Sequence, residues 1–264
     1  MSIRKPAVAN QFYPGNPQML KQSIMEYLEK AKPGSFNGKL KAIIVPHAGY
    51  IYSGWTAAYA YKLLRRLDQE RVWKVLLLGP AHNVPFYGAA APEEDQWETP
   101  LGLVEIKDVR TELKESEEII DVPQSNTYEH SLEVQVPFLQ MALKNFVLYP
   151  LVLGTLRPKS LASEIESFVQ QKDVIMVVSS DLSHFMKYAD AKKTDLETST
   201  AICDLDVMKM AEVGDACGRM GILTAMDIAK ELGWRCEMLN YKNSGDTAGD
   251  MKSVVGYGAY AFYQ

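Results

Sequence analysis

Short, predominantly apolar runs recur along the chain, each stopped by proline, glycine or serine. They are Lys41–Val45, stopped by Pro46; Lys74–Leu78, stopped by Gly79-Pro80; Val147–Leu153, stopped by Gly154; and Val174–Val178, stopped by Ser179-Ser180. A run with no polar alternation suits a strand covered on both faces, as in a parallel sheet between helical layers. Helical spacing or helix-forming composition marks Gln18–Lys32, Thr56–Leu67, Ser131–Leu143, Pro158–Gln170, Asp190–Val213 and Gly221–Leu232. The alternation predicts an α/β fold with a central, mostly parallel sheet and helices on both faces. Cys236–Tyr241 and Ser253–Tyr263 predict a closing strand pair that adds an antiparallel element. Its second member alternates Val255, Tyr257, Ala259, Ala261 and Tyr263 on one face. Residues 87–127 are less regular. They hold Pro92, Trp97, Pro100 and an acidic stretch, Glu112–Ile120, expected as a solvated helix face. They suit an insertion around the sheet, and residues 1–264 are expected to form one domain. The first sixteen residues, with two prolines and a glycine, predict an ordered arm or loop.

Composition narrows the picture. The chain has 264 residues, 47% hydrophobic and 23% charged, enough for a sizeable core without cross-links. A net charge of -5 and no long basic cluster argue against nucleic acid as a partner. Cys203, Cys217 and Cys236 form no paired motif, which fits a reducing compartment, and they are expected as buried small apolar residues. The N-terminus lacks the apolar core of a secretory leader, and no apolar run is long enough to span a bilayer. A cytoplasmic location, with no membrane partner, is the expectation.

Candidate chemistry centres on histidine. Of the four, His47, His82 and His184 each fall just past the carboxyl end of a predicted buried strand, the edge where open α/β sheets bind ligands. Histidine serves there as metal ligand or as general acid or base. Asp181, three residues before His184, would share a face with it on a helical turn, and would complete a two-histidine, one-carboxylate site or orient the imidazole. His130 opens a predicted helix, with Ser131 as a candidate cap. It is equally well a helix-start residue or a pocket residue. Tyr50 and Tyr52 flank His47 as pocket-lining or core residues. Asn243–Asp250 is a polar segment in which Ser244, Asp246 and Thr247 are candidate ligand contacts. Its composition also suits a plain turn, and it lacks the Gly-Lys-Ser/Thr of a nucleotide-binding loop, so no nucleotide is expected.

Five ordered motifs carry a wider resemblance: Arg4–Pro14, Val45-Pro-His-Ala-Gly-Tyr-Ile-Tyr-Ser-Gly54, Gly79-Pro-Ala-His82, Glu129-His-Ser-Leu-Glu-Val-Gln135 and Ser179-Ser-Asp-Leu-Ser-His184. Together they resemble the Memo family, whose microbial members are called AmmeMemoRadiSam system protein B. The resemblance implies a fold like that of class III extradiol ring-cleaving dioxygenases, which use non-haem iron(II). By motif, His47 and His82 match that class's ligand histidines. His184, accompanied by Asp181, matches its acid–base histidine. In animal Memo proteins a cysteine stands in the final polar segment; here that position is Thr247, and a hydroxyl is a poor ligand beside carboxylate, thiolate or imidazole. A third ligand is therefore expected from His184, Asp181 or Asp246. The implied cofactor is iron(II), or another divalent metal such as copper or zinc. Two roles follow: a metal-dependent redox enzyme, or a binding module that takes a small molecule, a peptide or an anion in the same pocket, as animal Memo resembles a phosphotyrosine-peptide adaptor. A radical S-adenosylmethionine protein and an AMMECR-like protein are the implied partners.

Overall fold

The computed structural model describes residues 2–35 and 37–264. The chain starts with β1 (Ile3–Arg4) and an arm leading to α1 (Pro17–Lys30). Asn16 caps α1 by accepting from the amides of Gln18 and Met19, and Pro17 occupies a first-turn position that needs no N–H donor. Then follow β2 (Leu40–Val45), α2 (Tyr50–Leu64) and β3 (Trp73–Pro80). The insertion contributes β4 (Ala89–Ala90), β5 (Gln96–Thr99), β6 (Gly102–Glu105) and β7 (Ile119–Ile120). Next come α3 (His130–Glu133), α4 (Val136–Ala142), β8 (Phe146–Leu153), α5 (Pro158–Val169), β9 (Val174–Ser179) and β10 (His184–Met186). The chain closes with α6 (Tyr188–Cys203), α7 (Val207–Val213), α8 (Arg219–Glu231), β11 (Arg235–Asn243), α9 (Ser244–Ala248) and β12 (Val254–Tyr263).

The main sheet runs β10-β12-β2-β9-β3-β8-β4-β7, with β11 also paired to β12. Its four central strands, β2, β9, β3 and β8, are parallel, and antiparallel strands are added on both sides. The apolar runs are explained by two cores. Ile43, Val45, Val75, Leu77, Ile175 and Val177 face α1, α2 and α4, which present Leu28, Tyr61 and Phe138. The intervening Ala42, Ile44, Leu76, Leu78, Met176 and Val178 face α5, α6 and α8, which present Ile165, Ile202 and Met226. Successive strand residues point to opposite faces, so burial on both makes the pattern continuous. Among the described residues no helix is long and apolar enough to cross a membrane.

Several expected boundaries are corrected. The helix over Asp190–Val213 is two helices, because Leu205 adopts a left-handed conformation (φ 53°) and Asp206 caps a new start by accepting from the Lys209 amide. Ser131–Leu143 likewise divides into α3 and α4, with Pro137 in the first turn of the second. The acidic stretch is not a helix. One 3-10 turn ends at Glu112, and the backbone amides of Glu117 and Glu118 instead donate to the Glu164 carboxylate from α5. Glu112 itself meets Lys74 and the Tyr149 hydroxyl rather than water alone. The insertion pairs back on the molecule: β5 and β6 form a small sheet with β1, and β4 joins β8 in the main sheet. The one-faced alternation expected for β12 gives way to burial on both faces, since Ala259 lies in the core with α2 and Tyr260 and Phe262 in the core with α6.

Candidate metal centre

Strands β2, β9 and β3 are neighbours and parallel, so the segments leaving them emerge side by side. His47 follows β2, His82 follows β3, and Asp181 follows β9. His130 arrives from a different direction, as the first residue of α3 after the long insertion. Each of His47, His82 and His130 offers one ligand nitrogen, and these nitrogens all lie within 4.8 Å of one another. The rings stand 4.6–5.4 Å apart between centroids.

Hydrogen bonds assign the tautomers of two of these rings. Ser179 Oγ has one hydrogen, which it donates to the Ser131 carbonyl at 2.6 Å. Gln135 Nε2 donates to that same oxygen at 2.7 Å and to the Pro46 carbonyl, while its Oε1 accepts from the Tyr61 hydroxyl. The remaining partner of Ser179 Oγ is His47 Nδ1 at 2.9 Å, which must therefore carry the proton. His47 Nε2 is left with a bare lone pair. His82 Nδ1 lies 2.9 Å from the Glu129 carboxylate, an acceptor, so it too carries a proton, and in the neutral ring Nε2 is the lone-pair nitrogen. Burial lowers the pKa of His47 well below its ordinary value, and lowers that of His130; neighbouring histidines add to both effects. Those two rings are therefore neutral at pH 7, as metal binding requires.

Glu129 organises this arrangement. Burial by itself would raise its pKa. The His82 imidazole and the amides of His82 and Ser131 outweigh that and hold the carboxyl at about 2. Glu129, not Ser131, caps α3; the Ser131 hydroxyl donates to the Pro80 carbonyl. The N-terminal arm fixes α3 from beneath. Glu133 is almost fully buried and accepts from Arg4 at 2.6 Å, from the amides of Ala7 and Val8, and from the Tyr13 hydroxyl. Phe12 packs against the His130 ring. The arm motif thus supplies the cation and amides that allow a carboxylate to be buried beside the site.

The other expected site residues take different positions. Asp181 and His184 do not share a helical turn, since the segment between them is irregular and His184 opens β10. Asp181 Oδ1 accepts from the amides of His47 and Ala48, at 2.8 and 3.3 Å, and so holds the His47 loop. Full burial pushes its carboxyl up to about 7, against the pull of those amides. His184 is half-buried and outside the three-nitrogen cluster, yet near enough for its charge to disfavour protonation of His47. Tyr50 packs into the core between Tyr13 and Phe138, and its hydroxyl donates to the Val134 carbonyl.

The polar segment expected as a turn is the short helix α9, started by a capping box between Asn243 and Asp246 and ended by Gly249 in the left-handed region. Ser244 Oγ accepts from the Val255 amide, Asp246 accepts from the Tyr188 hydroxyl, and the Thr247 hydroxyl donates to the Ser244 carbonyl. One residue given no chemical role by its sequence context stands at the site: Cys217 Sγ lies 3.3 Å from His47 Nε2. Cys217 and Cys203 are half-buried, and only Cys236 is buried as expected. A cavity of about 420 Å³ opens beside Cys217, walled by Pro80, Phe86, Tyr87, Leu153 and Met220.

Fold and site define an α/β protein with a histidine cluster at its strand ends that could hold a metal ion. The chain belongs to the Memo family, whose model, described as Memo-like protein, matches residues 4–261. Among its relatives is a MEMO1 family protein of Nitrosopumilus maritimus, 36% identical over 98% of this chain and 99% of that protein. MEMO1 family proteins of Thermoplasma volcanium and Methanosarcina barkeri are also 36% identical, each over 97% of this chain and over 96% and 98% of their own lengths.

Proposed function

We propose that this protein binds one divalent metal ion through His47, His82 and His130 and works as a metal-dependent, dioxygenase-like redox enzyme. The observation that carries the reading is the tautomer assignment: the two Nδ1 atoms are held as donors, which leaves Nε2 of His47 and of His82 as lone pairs beside a third imidazole. Ligand nitrogens about 2.0–2.1 Å from a tetrahedral ion sit about 3.3 Å apart, so the cluster needs to close by about 1.5 Å at most. A histidine-rich set suits iron(II), copper or zinc rather than magnesium or calcium. Iron(II) held there would supply Lewis acidity and one-electron chemistry toward dioxygen.

The chain's own residues do the rest. Ser179 and Glu129 hold the two imidazoles in the ligand tautomer, and Asp181 holds the backbone of the His47 loop. His130 takes the third position that the threonine at 247 cannot fill. His184, beside the cluster rather than in it, is the group that moves a proton to or from a substrate. The resemblance to AmmeMemoRadiSam system protein B favours a setting with a radical S-adenosylmethionine protein and an AMMECR-like protein, in which co-purification is the test.

A second reading, a peptide-binding module using the same pocket, is favoured by exposed aromatics next to site residues in the chain. Tyr128 and Phe185 are 73% and 78% exposed, and Phe185 is held at φ 60°, a strained conformation for a bulky residue. Metal analysis after anaerobic purification separates the two. The enzyme reading expects about one ion per chain in the wild type and none in His47→Ala. Wild-type protein that takes up neither iron(II), copper nor zinc refutes it.

A further inference from the structure

We propose that Cys217 is a thiolate ligand to the metal ion, supplied by the loop before α8. The inference rests on the metal-binding reading above and adds a donor to it. His47 Nε2 carries no hydrogen, so it is an acceptor that faces the Cys217 thiol at 3.3 Å, the thiol's other acceptor being the Asp181 carbonyl at 3.7 Å. An imidazole nitrogen and a thiolate sulfur that share a tetrahedral ion stand about 3.6 Å apart, close to the separation already present. The sulfur lies beside His47, outside the three-nitrogen triangle, so an ion seated between Nε2 and Sγ engages both.

Burial and the neighbouring Asp181 carboxyl push the Cys217 thiol up to about 12, so without a metal ion the sulfur stays protonated and it is the ion that would draw off the proton. The Asp181 amide donates to Sγ at 3.3 Å, and N–H donors of this kind stabilise metal-bound thiolate. The loop is held in place by the Cys217 amide on the Asp181 carbonyl and the Gly218 amide on Ser180 Oγ. Gly218 permits this approach: a Cβ there would meet the Ser179 carbonyl oxygen at 2.5 Å. On binding, the S–H bond breaks, a sulfur–metal bond forms, and the proton leaves to solvent. The donor set becomes imidazole and thiolate, which shifts preference toward zinc and copper(I). Because Cys217 also borders the 420 Å³ cavity, the ion would face that space.

The test is a titration of metal-free, full-length protein with cobalt(II), read by absorption. The wild type is expected to show sulfur-to-cobalt charge transfer in the near ultraviolet. Cys217→Ala is expected to lose that band, to bind cobalt(II) at least ~10-fold more weakly, and to release about one proton fewer per ion. Cys203→Ala, remote from the cluster, should keep the band. If Cys217→Ala does not fold by circular dichroism, X-ray absorption of the zinc-loaded wild type replaces it, with a sulfur scatterer at about 2.3 Å expected and its absence overturning the assignment. Cobalt(II) bound through His47 without the band, or a band surviving in Cys217→Ala, overturns the role of Cys217 and leaves the histidine site standing. A wild type that binds no cobalt(II) overturns both.

Discussion

Replacing Glu129 with glutamine keeps the side chain's shape and removes its charge. In the folded protein Glu129 is almost fully buried and is held at about 2 by the His82 imidazole and by the amides of His82 and Ser131, despite the opposing effect of burial. Unfolded, it returns to its ordinary value of 4.5. As pH falls the unfolded chain takes up this proton first. The contribution to stability is therefore complete above about pH 4.5 and is lost as pH falls toward 2. A depression of that size corresponds to about 3 kcal/mol at pH 7, falling to about 1 kcal/mol at pH 3. Urea denaturation at both pH values reads the gap between wild type and Glu129→Gln from the midpoints, provided the slopes agree. The variant is expected to be less stable by up to about 3 kcal/mol at pH 7, with most of that gap closed at pH 3. It should also bind metal roughly 10–100-fold more weakly, because a neutral amide with one accepting oxygen replaces the carboxylate that orients the His82 ring. A gap of equal size at both pH values would refute the assignment, since the residue would then act through shape and not charge.

Glu133→Gln leaves Arg4 buried beside a neutral partner and is expected to cost about 3–5 kcal/mol, seen as a lowered thermal midpoint. An unchanged midpoint would show that the arm does not anchor α3. Asp181 behaves in the opposite sense to Glu129: its folded carboxyl sits at about 7 against 3.8 when unfolded, so the folded state keeps a proton that the unfolded chain releases. In metal-free protein this makes stability decline as pH rises from about 4 to 7, and Asp181→Asn should flatten that decline. Parallel thermal-midpoint curves for wild type and variant between those values would contradict it.

The sequence by itself determined the layered architecture and part of the site. The runs at Lys41–Val45 and Lys74–Leu78 lie within β2 and β3, because burial on both faces erases polar alternation locally and visibly. His47 and His82 were legible for the same reason, since each stands where such a run stops. The capping box around Asn243 and Asp246 was also a local signal, hidden by a composition that suits turns equally well. The tertiary structure alone decided which third histidine joins the pair. His130 is far along the chain from any central strand end, and it reaches the cluster because Arg4, Ala7, Val8 and Tyr13 converge on Glu133 across about 120 residues or more. Cys217 was invisible for a related reason: its contact with His47 spans 170 residues and depends on α8 closing against the end of β9. Periodicity reports which face of an element is buried. Which residues meet at a point is set by strand order and by long-range packing, and neither leaves a periodic trace in the chain.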